Sequence, residues 1–539
     1  MTPTLRLPAG WLAWPILFVA LILLNASLTF ANVWPTPKVR WQNALSIELA
    51  VCVLLLAVLP RAATPTVRRL LPALWLFLVV GHYLDVTAPG LYGRELNFYW
   101  DAPHLGNVVA MIAEAVPVWQ RVLGGAGAVL ALAAAYVVGR AALGWVTDAL
   151  ARPRLRPTLV SLALGVIAAF TAQQVTSRAP LGIAFADPVT PAYLHQGRLA
   201  WAMVGPGAAQ PTLGPSPDAL TMTPDGLNGA DVYLVFVESY GAITFDSQVF
   251  FAALALSRST FNAAVRETGR QVVSAFVESP TFGGSSWLAH LSLITGIGVR
   301  DQASYQALIT QPRETLGTTF ARAGYRTVAL MPGMRQAWPE GAFYRYDVIY
   351  GRDDLAYEGP QFGWWSIPDQ YSLAKLDALE GPRSSRAPLL AVFPTSTTHA
   401  PFGPVAPYQP DWSKVLTADA YDPVEIESIL AYTPDLTNLA GDYAHAMAYE
   451  FMTFAGYLHQ RPADEFVMIL IGDHQPAAAV AGKDAPWTVP VHIITSQAHI
   501  IDRLLAQGFR RGMTPARPSL GEMHELVPIL LSAFTRPRD

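Results

Sequence analysis

The sequence has almost no cysteine. Cys52 is the single cysteine among 539 residues, and it lies within an apolar run. A disulfide within the chain is therefore excluded, so any exported part must be held together by its hydrophobic core alone. For Cys52 itself, a packed or lipid-facing thiol is a plainer interpretation than a redox or metal-binding residue.

Charged residues are also scarce. They make up 14% of the chain, against 52% hydrophobic residues, and the formal net charge is −4. The basic excess that binds polyanions is missing, so nucleic acid is not an expected partner. The apolar runs crowd the N-terminal third of the chain, while charged and polar residues gather in the remainder. This split, together with the length, predicts more than one structural unit.

The N-terminal third contains five apolar segments that approach the length needed to cross a bilayer, about 20 residues. The expected spans are Trp11–Thr29, Ala44–Leu59, Leu70–Val86, Val122–Val137 and Leu159–Ala172. The first span lacks a clear small-residue cleavage site, so it is interpreted as a retained anchor rather than a cleaved signal peptide. We therefore predict an N-terminal five-helix transmembrane bundle.

Basic residues in the connecting loops predict its orientation. The loops between spans two and three and between spans four and five are rich in arginine: Arg61, Arg68, Arg69, Arg140, Arg152, Arg154 and Arg156. By the positive-inside rule these loops and the N-terminus face the cytoplasm, so everything after the fifth span lies outside. We expect a multi-pass protein of the cell (inner) membrane with a periplasmic or extracellular C-terminal domain. A transporter is disfavoured, because the spans hold hardly any charge.

Composition also predicts where the domains divide. The stretch 205–228 is rich in proline, glycine and alanine, which is typical of a linker. The expected division is a transmembrane domain over 1–178, a linker over 179–228 and an exported domain over 229–539.

The sequence of the exported domain predicts an α/β fold. Short apolar runs bounded by turn residues predict strands at Val232–Val237, Thr327–Met331, Leu389–Phe393, Phe466–Ile471 and Val491–Thr495. Amphipathic stretches between them, such as Thr315–Ala323 and Tyr443–Leu458, predict helices. This alternation indicates a mainly parallel sheet between layers of helices.

Chemistry-bearing side chains follow three of these strands. Glu238 comes after the first, His399 shortly after the third, and Asp473 with His474 directly after the fourth. Ligands of such sheets bind beyond the carboxyl ends of the strands. Taken alone, Glu238 is more often a cap or a solvated charge, and His399 is as often structural. The Asp-His pair supplies a carboxylate and an imidazole, a donor set suited to Zn²⁺ or Mn²⁺.

A glycine-rich turn precedes a helical pattern in SPTFGGSSWLAHLSLITG. The helix is expected to begin near Ser286, where free N–H groups and the helix dipole favour an alkoxide or a phosphate ester. The local alternative is that Ser285 or Ser286 is only an N-cap, the commonest role of serine at this position. A serine alkoxide would complete a four-ligand metal site with the carboxylates and the imidazole, and the metal would lower the pKa of the hydroxyl.

The order of these motifs resembles the alkaline phosphatase/sulfatase superfamily: a strand ending in Glu, Gly-Gly-Ser at a helix start, Thr-x-His-x-Pro-Phe, and Gly-Asp-His. Five spans before an exported domain look most like its lipoteichoic-acid-synthase branch of membrane phosphoglycerol transferases. The resemblance implies a divalent metal, Mn²⁺ or Zn²⁺ with Mg²⁺ as a third option. The residues that match the family's metal ligands are Glu238, Ser286, Asp473 and His474.

The same resemblance implies roles for the remaining candidates. Ser286 matches the nucleophile, with Ser285 as the fallback, and His399 matches the histidine that contacts the substrate phosphate. Trp338, with Arg335 nearby, matches the head-group position. The implied activity is transfer of a phosphoglycerol-type head group from a phospholipid donor to a glycan or lipid acceptor through a phospho-serine.

Three alternatives remain at the level of sequence. With water as acceptor the same site is a phosphodiesterase. A sulfuric ester hydrolase is a weaker interpretation, because the proline and arginine of the sulfatase signature do not follow Ser286. A non-catalytic membrane sensor that keeps the fold is the third. Two departures from the branch are a serine in place of its usual threonine, and the absence from LMPGMRQAWPEG of the histidine and arginine that hold glycerol phosphate.

Overall fold

The chain forms two compact units in a computed structural model that describes residues 6–8, 10–58, 64–176, 184–204, 211–335, 337–365, 367–462 and 465–537. The first unit comprises Met1–Leu105 and Pro117–Ala208, and the second comprises Gly106–Val116 and Ala209–Asp539.

Helices dominate the N-terminal part of the chain. In chain order they are α1 (Ala13–Ala26), α2 (Ile47–Val58), α3 (Pro65–Tyr92), α4 (Phe98–Asp101), α5 (Leu105–Glu114), α6 (Val118–Leu150), α7 (Arg156–Thr176) and α8 (Val189–Val204). A short antiparallel hairpin, β1 (Phe30–Asn32) and β2 (Val39–Trp41), lies between α1 and α2. α1 and α3 pack against α6, and α2 packs against α7.

Helices occupy each of the five positions at which a span is predicted. Three of them, α3 over Arg69–Tyr92, α6 and α7, are long enough and apolar enough to cross a membrane. No residue in the most apolar 18-residue window of α6 is buried within the protein, as expected of a surface that faces lipid. The other two, α1 and α2, are apolar but only 14 and 12 residues long.

Part of the stretch 179–228, predicted to be a linker, is helical. α8 begins at Val189, where the backbone N–H groups of Val189 and Thr190 donate to Glu48 Oε1 at 2.5 and 3.2 Å. A carboxylate at a helix N-terminus satisfies N–H groups that have no partner within the helix. Residues 205–210 of the Pro/Gly/Ala-rich stretch lie outside the described residues.

The second unit is built on one mixed sheet. Its strands are β3 (Asp231–Val237), β4 (Gln271–Glu278), β5 (Arg326–Leu330), β6 (Val348–Tyr350), β7 (Leu389–Pro394), β8 (Phe466–Gly472), β9 (Thr488–Thr495) and β10 (Arg510–Arg511). Their order across the sheet is β10-β4-β9-β8-β3-β7-β5-β6.

Helices between these strands cover the sheet. They are α9 (Ile243–Asp246), α10 (Gln248–Ala253), α11 (Ala255–Glu267), α12 (Ser286–Thr295), α13 (Gln302–Ile309), α14 (Leu316–Arg322), α15 (Arg352–Leu355), α16 (Asp369–Glu380), α17 (Pro423–Leu430), α18 (Ala440–Gln460), α19 (Ala478–Ala481), α20 (Ala498–Ala506) and α21 (Leu526–Phe534).

The predicted mainly parallel sheet is confirmed, as a mixed sheet. The neighbouring strands β8, β3, β7, β5 and β6 run parallel to one another. β9 is antiparallel to its neighbours β8 and β4, and β10 is antiparallel to β4. The sequence analysis found the β9 run but could not give its direction, and it overlooked β4. A buried strand has the same apolar pattern in either direction, so direction depends on connections and partners rather than on composition.

Both faces of the sheet are buried under apolar side chains. Along β3, Tyr233, Val235 and Val237 belong to one hydrophobic cluster, and Val232, Leu234 and Phe236 belong to another. Successive side chains of a strand point to opposite faces, so a strand buried on both sides is apolar at every position. This is why the sequence of β3 is a continuous apolar run.

The register of β3, β7 and β8 aligns the carboxyl ends of these three strands. Val237 of β3 pairs with Gly472 of β8, and Phe236 pairs with Pro394 of β7. Because all three strands are parallel, the residues that follow them emerge at one edge of the sheet.

Candidate metal centre and nucleophile

Three side chains converge at this edge. Glu238, Asp473 and His474 are buried, and their donor atoms lie within 4.8 Å of one another. His474 Nε2 is 3.4 Å from Glu238 Oε1 and 3.5 Å from Asp473 Oδ2. Two ligands of one cation with bonds near 2.1 Å lie about 3 to 4 Å apart, so these separations suit a shared metal ion.

Ser286 joins the same cluster. It is the first residue of α12, and its Oγ donates to Glu238 Oε2 at 3.0 Å and lies 3.1 Å from His474 Nε2. Ser285 occupies the N-cap position in a left-handed conformation, φ 61° and ψ 40°, and makes no capping hydrogen bond with its side chain. Of the two serines, Ser286 is the one whose hydroxyl contacts the candidate ligands.

Glycines shape the turn that presents Ser286. Gly283 and Gly284 have φ values of 65° and 142°, a region that other residues rarely adopt. The Gly283 N–H donates to the Gln475 carbonyl at 3.1 Å, which ties this turn to the loop after β8. The Gly-Gly pair thus fixes the serine beside the Asp473–His474 pair.

Hydrogen bonds orient the Asp473–His474 pair and leave one carboxylate oxygen without a partner. Asp473 Oδ1 accepts from the N–H groups of Ser239 and His474 at 2.8 and 2.7 Å, whereas Oδ2 is buried without a hydrogen-bond partner in the described chain. His474 Nδ1 donates to the Gln475 carbonyl at 2.7 Å, which fixes the ring with Nε2 toward Ser286 Oγ and the two carboxylates. A buried carboxylate oxygen without a partner is costly unless a ligand satisfies it.

The charges in the cluster are strongly coupled. Burial would raise the pKa of Glu238, but the neighbouring His474 outweighs it and holds that pKa well below its usual range. Burial, and then the charge of Glu238, raise the pKa of Asp473 well above its usual value. Burial opposes protonation of His474, yet the two carboxylates raise its pKa to about 9. Two buried carboxyls facing one imidazole therefore form a site that favours positive charge.

His399 lies beside a small cavity next to this cluster. Its Nδ1 donates to the Ala400 carbonyl at 2.7 Å, and its ring centroid is 4.5 Å from that of Trp365. Thr395, at the start of the same loop, accepts a hydrogen bond from the Glu238 N–H at 3.0 Å. The cavity is lined by Phe362, Gly363, Trp364, Trp365, Ile367, Pro368, Ser396, Thr397, His399, Pro401, Gly403, Pro404 and Ala406.

The two expected head-group residues have different surroundings. The Arg335 guanidinium lies 4.1 Å from the ring centroid of Trp364, which lines the cavity, and 3.8 Å from Glu114 Oε2 of α5. Trp338 packs instead against Tyr344, with ring centroids 5.2 Å apart, at the edge of a hydrophobic cluster of the sheet.

Sequence reasoning missed several residues around the site. His290 approaches Asp473 Oδ2 to 3.9 Å, and burial lowers the pKa of His290 to about 4. Asp369, the first residue of α16, accepts hydrogen bonds from the N–H groups of Ser396 and Thr397 and so braces the loop that carries His399. Only His290 had a local signal, because it follows Ser286 by four residues on a predicted helix.

No protein-family model and no curated protein matches the chain. It is similar to solved structures of the alkaline phosphatase superfamily. A superfamily member from Vibrio parahaemolyticus matches at 16% identity and a TM-score of 0.36, over 52% of this chain and 63% of its own length. The lipoteichoic acid synthase LtaP from Listeria monocytogenes matches at 14% identity and a TM-score of 0.37, over 59% of this chain and 75% of its own length.

A third structure is the Streptococcus pyogenes phosphoglycerol transferase GacH in complex with sn-glycerol-1-phosphate. It matches at 9% identity and a TM-score of 0.34, over 59% of this chain and 88% of its own length. At these identities and TM-scores the likenesses carry no weight for the chemistry of this chain, which rests on its own side chains.

Proposed function

We propose that the chain is a membrane-anchored, metal-dependent phosphotransferase whose nucleophile is Ser286. The observation that carries the proposal is the position of the Ser286 hydroxyl, 3.0 Å from a Glu238 carboxylate oxygen and 3.1 Å from His474 Nε2 at the start of α12. A serine that served only as a helix cap would bond to backbone N–H groups rather than to two candidate metal ligands.

The donor set fits a divalent cation. The cation would be held by Glu238, Asp473, His474 and Ser286. It would satisfy Asp473 Oδ2, which is buried without a hydrogen-bond partner among the described residues. When bound, the cation would lower the pKa of the serine hydroxyl and offset the charge of a phosphate group. A mixed oxygen and nitrogen set favours Mn²⁺ or Zn²⁺ over Mg²⁺, which prefers oxygen alone.

The chain's own residues then account for two transfer steps. The Ser286 hydroxyl loses its proton to solvent while Oγ, oriented by its hydrogen bond to Glu238, attacks the phosphorus of a phospholipid head group. The bond from phosphorus to the diacylglycerol oxygen breaks, that oxygen takes up a proton from solvent, and a phospho-serine remains. In the second step the hydroxyl of a glycan or lipid acceptor attacks that phosphorus and loses its proton, while His399 holds the phosphate oxygens. The bond from phosphorus to Ser286 Oγ then breaks, and Oγ is protonated again. With water as acceptor, the same steps hydrolyse the donor.

The architecture proposed for this activity places the site outside the cytoplasmic membrane. Five spans over residues 1–178 begin inside, residues 179–228 connect, and the catalytic domain of residues 229–539 is exported. Helices at all five expected positions support it, as do the length and apolar surface of α3, α6 and α7. A site in this position would have access to the phospholipids of the outer leaflet, and a donor of the phosphoglycerol type is what the resemblance of the sequence motifs implies.

The test traces the head-group phosphate of the donor lipid. Full-length protein in detergent, stripped of metal and reloaded with Mn²⁺ or Zn²⁺, is incubated with phospholipids radiolabelled at the head-group phosphate. We expect covalent label on the wild type and release of diacylglycerol, with both lost in Ser286→Ala. Ser285→Gly is the matched control and keeps the label. Bound metal without label or diacylglycerol from any donor would favour the non-catalytic sensor instead.

A further inference from the structure

His290 shares a helical face with the proposed nucleophile. It lies four residues after Ser286 in α12, and residues four apart in a helix are neighbours on its surface. The imidazole packs against the ring of Phe236 from β3, with centroids 4.2 Å apart. This packing fixes the ring at the edge of the sheet where the metal ligands meet.

The end of this imidazole approaches Asp473 Oδ2. His290 Nε2 lies 3.9 Å from Asp473 Oδ2, which is also 3.5 Å from His474 Nε2. Neither His290 Nε2 nor Asp473 Oδ2 has a hydrogen-bond partner among the described residues, and both atoms are buried. A separation of 3.9 Å is too long for a direct hydrogen bond, so two costly polar atoms face each other unsatisfied.

His290 does not belong to the group of donor atoms of Glu238, Asp473 and His474 that lie within 4.8 Å of one another, but a cation bound on its side of Asp473 Oδ2 would satisfy both facing atoms. Ligands bound at about 2.1 Å can lie up to about 4.2 Å apart on one ion. A bridging water with two hydrogen bonds of about 2.8 Å at a tetrahedral angle would instead hold its partners about 4.6 Å apart. The observed spacing therefore suits a metal ion better than a water molecule.

We propose that His290 is a further ligand in the metal centre, binding through Nε2 the cation that Asp473 Oδ2 binds. The proposal rests on the metal centre described under the proposed function and adds to it a second imidazole. Two nitrogen donors move the preference of the site further from Mg²⁺ and toward Zn²⁺. They also explain why α12 carries a histidine one turn after its serine.

The decisive measurement counts nitrogen ligands on the bound ion. Full-length wild type, His290→Ala and His290→Gln, all in detergent and stripped of metal, are titrated with Mn²⁺ alone. Pulsed electron paramagnetic resonance reads nitrogen couplings, and the free Mn²⁺ signal gives affinity and stoichiometry. His445→Ala is the matched control, because His445 is an exposed histidine of the same unit.

We expect two distinct nitrogen couplings in the wild type and the control, and one in each His290 variant. Affinity should fall by more than about 100-fold, beyond the 10- to 100-fold loss seen when only an orienting partner of a ligand is removed. His290→Asp, which restores a donor atom, should recover part of the affinity, and thermal unfolding verifies that each variant is folded.

Two results would overturn this proposal and leave the proposed function standing. One is an unchanged number of nitrogen couplings in folded His290 variants, whatever their affinity, because His290 would then only orient Asp473. The other is a wild type that binds Mn²⁺ with a single nitrogen coupling, which leaves the metal centre intact and excludes His290 alone. A wild type that binds no cation, Zn²⁺ included, overturns both this inference and the proposed metal-dependent function.

Discussion

The Ser286 hydroxyl donates a 3.0 Å hydrogen bond to the carboxylate of Glu238, a residue 48 positions away in the sequence. The two meet because Glu238 follows the central strand β3, while the Gly283–Gly284 turn delivers the first residue of α12 to the same edge of the sheet. A strand positions Glu238 and a helix positions Ser286, so rigid elements hold both members of the pair.

Removing one ligand should separate metal binding from folding. Asp473→Asn keeps the Oδ1 acceptor for the N–H groups of Ser239 and His474 but removes the charge at Oδ2. We expect Mn²⁺ affinity to fall by at least about 100-fold. The metal-free variant should be more stable than metal-free wild type by about 1 kcal/mol, because burial, and then the charge of Glu238, disfavour the Asp473 carboxylate.

Metal content by elemental analysis and thermal unfolding with and without Mn²⁺ measure both effects. Asp502→Asn, at a largely exposed aspartate of the same unit, is the control. Unchanged metal affinity in Asp473→Asn would remove this residue from the site.

Ser285→Gly should raise stability slightly and keep activity. Ser285 has a φ of 61°, a left-handed conformation that costs an L-residue about 1 kcal/mol and costs glycine almost nothing. Part of the gain is offset by the greater freedom of glycine in the unfolded chain, so we expect a net rise of about 0.5 kcal/mol. Denaturant unfolding and phosphate labelling are the measurements. Loss of label with an intact fold would identify Ser285, rather than Ser286, as the nucleophile.

Glu450→Gln should stabilise the protein at neutral pH. Glu450 is fully buried in α18, and neither carboxylate oxygen has a hydrogen-bond partner in the described chain. Burial and the nearby Asp369 raise the pKa of Glu450 well above its usual value. A carboxyl group whose pKa is higher in the folded state than in the unfolded state does not lower the free energy of unfolding below its unfolded pKa, near 4.5. As the pH rises above that value, it lowers the free energy of unfolding by an increasing amount.

We therefore expect the unfolding free energy of Glu450→Gln to exceed that of wild type by about 1–3 kcal/mol at pH 7.5. The difference should vanish near pH 4.5. Asp369→Asn is the contrasting variant and should destabilise, because Asp369 accepts the Ser396 and Thr397 N–H groups. A Glu450→Gln protein that is less stable than wild type at both pH values would show that the carboxylate itself is needed.

His492 should make the fold sensitive to mild acid. Its ring is buried between the hydroxyls of Tyr240 and Ser274, at 2.9 and 2.6 Å, and burial lowers its pKa to about 3. An unfolded histidine titrates near 6.5, so between pH 6.5 and 3 the unfolded chain binds one proton more than the folded chain does. The unfolding free energy therefore falls as pH falls through this window, by up to about 1.4 kcal/mol per unit from His492 alone.

His492→Gln removes this titrating group and retains a polar side chain between the two hydroxyls. We expect its stability to decline less steeply than that of wild type between pH 6.5 and pH 5, with no difference in slope above pH 7. Thermal unfolding across this range measures it. Parallel curves for the two proteins would mean that His492 is not the group responsible.

The sequence by itself determined the apolar strands β3, β5, β7, β8 and β9, the helices at the five expected spans, and the polar residues that end three of the strands. These features are local, because a strand buried on both faces must be apolar at each position and a long apolar helix needs no partner to be recognised. From them Glu238, Asp473 and His474 could be proposed as neighbours before any distance was known.

Tertiary structure alone decided which residues meet. Four features depend on strand order and on the angle at which α12 leaves its glycine turn: the antiparallel direction of β9, the strand β4, the contact of Ser286 rather than Ser285 with Glu238, and the approach of His290 to Asp473. A composition pattern repeats along one segment, whereas a site arises where distant segments are packed together, and only packing fixes those distances.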